Sequence, residues 1–372
     1  MILVIAAAAI WIYLLAGRGG FWRMRDAPAE GGLREPAPRI VAVIPARNEA
    51  AVVGRAIASL ARQRYPGEFH IVLVDDDSTD GTGAAARAAA PPGLLTVIRA
   101  GALPDGWTGK LWAVSEGVRH AARFDPEYLL LTDADIVHPA ENLAGLTARA
   151  TDGGYDLVSY MATLRSRTLA ERALVPAFVF FFFLLYPPAW IRSARHSTAG
   201  AAGGCMLIRR AALERIGGIR SIAGELIDDC ALARAVKRQG GRVWLGLSAA
   251  TLSIRDYATF GEIGGMISRT AFTQLRHSVW LLLGTVAGLA ITYLAPPLMA
   301  LAGRGWAQAI GMGAWAMMSA AYFPVLRYYR RSPLWAPLLP AIAAFYLGAT
   351  VHSAAMYWRG AGGMWKGRVQ DR

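Results

Sequence analysis

Three apolar runs follow one another toward the end of the chain, at residues 279–301, 306–326 and 334–358, each near the ~20 residues that carry a helix across a bilayer. A soluble domain has no use for three such runs in succession. A further apolar stretch, residues 1–17, opens the chain and is followed by Arg18, Arg23 and Arg25. A secretory signal carries its positive charge ahead of the apolar run, so this segment reads as a permanent anchor with the downstream chain on the cytoplasmic side. Composition agrees: 55% hydrophobic and 17% charged residues over 372 positions is too apolar for an ordinary soluble enzyme. The net charge of +13 then belongs to loops facing anionic lipid. Nucleic acid is disfavoured as a partner, because no basic helix or finger pattern accompanies the charge. The loop Arg327-Tyr328-Tyr329-Arg330-Arg331 is expected in the cytoplasm and Arg304 at the opposite turn. Three crossings would put the tail outside, although it carries Arg359, Lys366, Arg368 and Arg372, and the two signals conflict. Cys205 and Cys230 suit neither a disulfide framework nor a zinc site and read as reduced thiols.

Another apolar segment, residues 174–191, contains FVFFFFLLYPPAW. Its length would allow a crossing, but Pro176, Pro187 and Pro188 argue against a clean helix. An interfacial or re-entrant segment is expected, with a crossing as the alternative.

Between residues 39 and 278 the texture changes. Short β-branched or leucine-rich runs at 39–45, 69–74, 94–99 and 128–132 alternate with helical spacing at 48–64, 79–90, 108–122 and from about 139, with Asn48 as a plausible cap. Alternation of this kind predicts an α/β fold with a mostly parallel, Rossmann-like sheet and helices on both faces. Ligands of such sheets bind beyond the carboxyl ends of the strands.

Acids gather at those ends. PARNEA, not a GxGxxG, follows the first strand, which disfavours a dehydrogenase-type dinucleotide site. The second strand runs into DDDSTDGT, whose adjacent carboxylates repel unless neutralised or hydrogen-bonded, and which can accept from a base and a ribose. A turn with a helix cap built on Ser78, Thr79 and Asp80 is the plain alternative. The fourth strand, LLLT, ends in Asp133-Ala134-Asp135. In an extended chain residues i and i+2 point the same way, so two carboxylates would converge on one cation, and Mg²⁺ is often held by one or two carboxylates plus substrate phosphates. His138 reads as structural, with metal ligation the alternative. Lys110, opening a helix behind Gly106 and Gly109, suits an anionic phosphate, with a solvated lysine as the alternative. Asp228 and Asp229 lead another helix; the helix dipole alone would favour them there, or their mutual repulsion raises one toward the proton affinity of a general base.

The ordered set VIPARNEA, VDDDSTDGT, GKLWA, TDAD, GGCMLIRRAALERIGG and IDDCALA, followed by an apolar C-terminus, resembles family 2 glycosyltransferases of the GT-A fold over roughly residues 40–276. The layout of the whole chain is most similar to hopene-associated glycosyltransferases of bacterial hopanoid loci, which are themselves similar to ceramide glucosyltransferases. The expected organisation is a transmembrane anchor at 1–22, a linker at 23–38, a GT-A domain at 39–278 containing the interfacial or re-entrant segment 174–191, about three transmembrane helices at 279–358 and a basic tail at 359–372. The resemblance implies that Pro45, Arg47 and Glu49 line a nucleotide pocket, with Asp75 and Asp76 on base and ribose. Asp133 and Asp135 would hold Mg²⁺ or Mn²⁺ on the donor pyrophosphate. Asp229, beside Asp228, matches the second acid of the family's Glu-Asp pair and would be the catalytic base. Gly203, Gly204 and Cys205 would floor the acceptor side. The chain departs from the family pattern in three places: Asp228 replaces the glutamate, Ser115 stands where an asparagine is usual, and the QxxRW motif of processive members is missing. In place of that motif Arg269 and Arg276 are candidates to clamp pyrophosphate.

The expectation is inverting transfer of one sugar from a nucleotide-sugar, a UDP-sugar, to a membrane-lipid hydroxyl at the cytoplasmic face of a bacterial inner membrane. Transfer to polyprenyl phosphate and an inactive nucleotide-sugar or lipid-binding scaffold are the alternatives. A transporter is disfavoured by the scarcity of charge within the apolar runs.

Overall fold

Four strands of one mixed sheet lie where the β-branched runs place them. The computed structural model describes residues 1–26 and 35–363; the end of the basic tail, with Lys366, Arg368 and Arg372, and part of the linker fall outside the described residues. The strands are β1 Ile40–Ala46, β2 Phe69–Asp75, β3 Leu95–Arg99, β4 Tyr128–Thr132, β5 Ile136–Val137, β6 Leu157–Thr163, β7 Cys205–Arg209 and β8 Val243–Ser253. Their order in the sheet is β3-β2-β1-β4-β7-β6-β8-β5. β1, β2, β3 and β4 are mutually parallel, and β7 runs antiparallel between β4 and β6.

Burial on both faces explains why these strands are apolar without alternation. On one face Ile40, Ala42 and Ile44 pack with Val53, Ile57 and Leu60 of the helix Ala50–Ala61. On the other, Val43 and Val74 approach the helix Gly109–Ala121 so closely that a Cβ on Gly117 would lie 2.4 Å from the Val43 side chain. In the β1/β2 register Ala46 sits opposite Asp75, so the two loops that follow start level with each other.

Two compact units divide the chain: a sheet unit, Asp26–Arg165 with Trp190–Arg255, and a helical unit, Met1–Arg25, Ser166–Ala189 and Asp256–Arg372. Residues 256–278, placed with the catalytic domain by sequence, thus belong to the helical unit. Leu169–Arg192, Val279–Ala302, Trp306–Tyr328 and Pro333–Trp358 are long and apolar enough to cross a membrane by length and composition. The N-terminal helix, Ile2–Ala16, has 15 residues and is shorter than that.

The phenylalanine-rich segment is a continuous helix, Leu169–Leu185, contrary to the expectation drawn from its prolines. Pro176 lies inside it, while Pro187 and Pro188 come after its last turn, where they cost no helical hydrogen bond. Within the helical unit Phe180 meets Phe21 and Tyr322, and Phe181 meets Tyr293 and Tyr346, with ring centroids between 4.8 and 5.7 Å apart. A capping box starts the helix: Thr168 Oγ1 accepts from Glu171 N–H, and Glu171 Oε2 accepts from the backbones of Thr168 and Arg167. Glu171 Oε1 also accepts from Tyr257 N–H, and the residue is fully buried. Removing this carboxylate orphans three amides. Glu171→Ala is expected to lower stability by about 3 kcal/mol, read as a fall in melting temperature of the detergent-solubilised chain, with Glu171→Gln losing less.

Candidate active site

The loops after β1 and β2 are stitched together. Arg47 Nη1 donates to the Asp76 carbonyl at 2.6 Å and lies 3.6 Å from its carboxylate. Asn48 N–H donates to Ser78 Oγ, Thr79 N–H to Asn48 Oδ1, and Glu49 N–H to Thr82 Oγ1. Ala50 N–H, at the start of the Ala50–Ala61 helix, donates to Asp80 Oδ2. Asn48 is therefore not the cap expected of it. It takes a left-handed backbone (φ 52°) and faces the second loop, and Asp80 caps the helix from across the gap. Asp75 Oδ1 accepts from Ser78 N–H. The turn-and-cap alternative thus accounts for Ser78, Thr79 and Asp80, while the stitching leaves a firm wall from Pro45 to Asp76 at the carboxyl edge of the sheet.

The Asp133-Ala134-Asp135 stretch is a turn and not an extended strand: Ile136 N–H donates back to the Asp133 carbonyl. Asp133 still lies close enough to push Asp135 up, but each acid faces a different cation. Lys110 Nζ sits 2.9 Å from Asp133 Oδ1 and 3.0 Å from Asp228 Oδ2. Burial alone would favour a neutral amine; the two carboxylates outweigh it and hold the ammonium well above the ordinary lysine range. Leu111, Val114, Leu131, Met206 and Ile219 wall the cavity onto which Lys110, Asp133 and Asp228 open, and an apolar wall strengthens such pairing. Lys110, read from sequence as a phosphate group's partner, thus joins the fourth strand's turn to the helix Asp228–Arg238.

Asp229 points the other way. Its Oδ2 accepts from Gly203 N–H at 2.8 Å and its Oδ1 from Cys230 N–H at 2.7 Å. Burial, then the adjacent Asp228 charge, push its carboxyl up to about 6, against the pull of Lys110 and the two amides. A carboxylate of that proton affinity is ionised at neutral pH yet takes up a proton readily.

His138 is structural. Thr132 spends its hydroxyl proton on the Gly204 carbonyl (2.7 Å), so its oxygen accepts from His138 Nε2 (3.0 Å), and His138 Nδ1 accepts from Asn142 Nδ2 (3.0 Å). Burial pushes the ring down to about 4, keeping it neutral, and both nitrogens are engaged. Cys205 opens β7 with its side chain wholly buried in the core beneath Gly203 and Gly204, and burial pushes its thiol up to about 12. Arg269 and Arg276 lie exposed in the helical unit.

Sequence reasoning missed Arg255. It follows β8 and bridges Asp135 Oδ2 (3.0 Å) and Glu49 Oε1 (2.5 Å), with Ser253 Oγ also on Asp135. The signal was a single arginine ending an apolar strand, the pattern already noticed for acids in LLLTDAD. Burial and then Asp133 push the Asp135 carboxyl above its ordinary range; Arg255 opposes them, and Glu49 adds to them. Among the described residues no three His, Cys, Asp or Glu side chains gather closely enough to hold a metal ion unaided. The hard carboxylate oxygens of Asp133 and Asp135 nevertheless fit Mg²⁺ or Mn²⁺ if donor phosphates complete the shell. Asp133, with its side chain about one-third exposed (35%), is the accessible member of the pair.

Residues 41–217 match the sequence model of the family described as glycosyl transferase family 2. The mannosyltransferase PcManGT from Pyrobaculum calidifontis, solved with GDP-mannose and Mn²⁺, has a similar structure: TM-score 0.53, 21% identity, covering 93% of this chain and 98% of that one. A β-monoglucosyldiacylglycerol synthase of Synechocystis sp. is 40% identical over 85 residues, which span 22% of this chain and only 17% of that relative's length. The strand ends that carry Arg47, Asp75, Asp133 and the Gly203-Gly204 pair all fall inside the family match, on an α/β sheet of the expected kind. The chain is therefore a glycosyltransferase of the GT-A fold, whose residues 41–217 are similar to glycosyl transferase family 2.

Proposed function

We propose that the chain moves one sugar, with inversion, from a UDP-sugar to a hydroxyl of a membrane lipid at the cytoplasmic face of a bacterial inner membrane. The observation that carries this reading is the Lys110 ammonium. It lies within about 3 Å of Asp133 and of Asp228, so the donor-side turn and the helix bearing the candidate base converge on one cation. Pro45, Arg47, Glu49, Asp75 and Asp76 line the nucleotide side and Gly203 and Gly204 the acceptor side. Mg²⁺ or Mn²⁺ on Asp133 and Asp135 would neutralise pyrophosphate charge when bound. Asp229 takes the proton of the acceptor hydroxyl as its oxygen bonds to the anomeric carbon. The bond from that carbon to the phosphate oxygen breaks, and the nucleoside diphosphate leaves with the electron pair. Direct displacement with a single base inverts the anomeric centre.

Apolar helices favour a lipid acceptor, and the partial match to a glucosyldiacylglycerol synthase leans the same way. A hopanoid-related lipid is the narrower reading and rests on the resemblance of the whole-chain layout. β6 and β7 are hydrogen-bonded neighbours, so the chain between them leaves and returns to one sheet. A single crossing by Leu169–Leu185 would part them, and we take the segment 174–191 to be interfacial or part of a re-entrant excursion that stays on one side.

Two measurements test the reading. Purified chain given labelled UDP-sugars and bacterial lipid extract is expected to put label into the organic phase, in a product stable to mild acid. An acid-labile product would point to polyprenyl phosphate, and label confined to water-soluble products would contradict a lipid acceptor. The transfer rate is also expected to rise with pH as Asp229 ionises through about 6 and then to level off. In Asp228→Asn the midpoint of that rise should fall, since the neighbouring negative charge is gone.

A further inference from the structure

Arg255 occupies a place that the proposed reaction does not explain. β8 pairs with β5 so that Ser253 faces Ile136, and the next amide, Ile254 N–H, donates to the Asp135 carbonyl at 2.9 Å. This register delivers the Arg255 side chain onto the Asp133-Ala134-Asp135 turn. Its Nε then lies 3.0 Å from Asp135 Oδ2 and its Nη2 2.5 Å from Glu49 Oε1. The two carboxylate side chains are only 9% and 10% exposed, whereas the arginine side chain is 32% exposed. Lys110 plays the corresponding part for Asp133. Each acid of the turn thus has a protein cation of its own.

We propose that Arg255 is the resident counter-cation of this turn and makes divalent-cation binding conditional on the nucleotide. The proposal rests on the reading of Asp133 and Asp135 as the donor's metal acids. A bare divalent ion approaching the turn meets carboxylates whose charge is already compensated, and it must displace or share them with a guanidinium held in fork geometry. A nucleoside diphosphate brings several negative charges and oxygen ligands of its own, so the metal–nucleotide complex binds where the metal alone does not. Arg255, attached to Asp135 and partly exposed, is then placed to contribute its charge to the pyrophosphate. A site that ignores free metal also avoids carrying an unpaired cation while no donor is present.

The test is Mn²⁺ binding to the purified full-length chain, followed by the paramagnetic signal of free Mn²⁺, with no nucleotide and with UDP or GDP. Wild type is expected to bind Mn²⁺ at least about tenfold more weakly without nucleotide than with it. Arg255→Gln removes the competing charge and is expected to bind Mn²⁺ alone about tenfold more tightly than wild type. That gain should vanish in the double variant Arg255→Gln/Asp135→Asn. Arg255→Lys, which keeps a cation, covers the case in which the glutamine variant does not fold, and is expected to stay near wild type. Nucleotide-free Mn²⁺ affinity unchanged or weakened in Arg255→Gln would overturn the proposal, as would a tenfold gain in Arg255→Lys. Absence of Mn²⁺ binding by wild type with either nucleotide would overturn it together with the metal reading beneath it.

Discussion

Asp229→Asn is expected to abolish sugar transfer while leaving donor binding in place. Asparagine keeps the shape of the side chain but cannot take a proton, and general-base catalysis is worth about 10²–10⁴ in rate. The expected fall in kcat is about a thousandfold, with the donor dissociation constant unchanged within a factor of about three. One of the two amides now bonded to the carboxylate, Gly203 or Cys230, loses its acceptor, so stability should drop by about 1–2 kcal/mol as well. Transfer and donor binding measured on the same preparation separate the outcomes. Loss of donor binding would make Asp229 a pocket residue, and retained transfer would move the base to Asp228.

Asp133→Asn is expected to weaken metal-dependent donor binding by about a hundredfold. Asp133 is the more accessible acid of its turn, and its loss leaves Lys110 paired to Asp228 alone, so the cation remains compensated and the fold should survive. Titration of the nucleotide-sugar with Mn²⁺ and again with EDTA gives the comparison. Equal affinities in variant and wild type under both conditions would remove Asp133 from the donor site.

How legible the site was depended on whether a residue's partners are local. β1, β2 and β4 are buried on both faces, so their apolar runs and the acids that end them stand out along the chain. β7 runs antiparallel between β4 and β6, an arrangement settled by contacts between residues from 47 (Ser159–Met206) to 81 (Tyr128–Arg209) positions apart and not by any periodicity. Asp133 and Asp135 were found for a partly mistaken reason. The two lie in one turn and not on one strand face, and each pairs with a different cation. Arg255 escaped notice because its two acids lie 120 and 206 positions away. Asn48 looked like a cap because asparagine often is one, while the actual cap, Asp80, reaches in from the neighbouring loop. The prolines misled at Leu169–Leu185, where aromatic packing within the helical unit and a capping box outweigh the lost hydrogen bond of Pro176.

The pairing of Lys110 with both acids also bears on how the site works. The ammonium satisfies Asp133 and Asp228 at once, so a donor phosphate entering near it competes with two carboxylates. Any movement of Lys110 toward that phosphate weakens its hold on Asp228, whose charge then raises Asp229 further. With Asp229 as the proposed base, donor binding and its proton affinity are linked through one side chain, and the midpoint of the pH–rate profile at saturating donor is expected to lie above that at low donor.

The two strand-end loops, the Asp133-Ala134-Asp135 turn and the Asp228–Arg238 helix are expected to form together a nucleotide-sugar site. The most direct measurement is equilibrium binding of a panel of UDP- and GDP-sugars to the detergent-purified chain, each with Mg²⁺, with Mn²⁺ and with EDTA. One UDP-sugar is expected to bind, and to do so only when metal is present. No binding by any donor with either metal would contradict the claim.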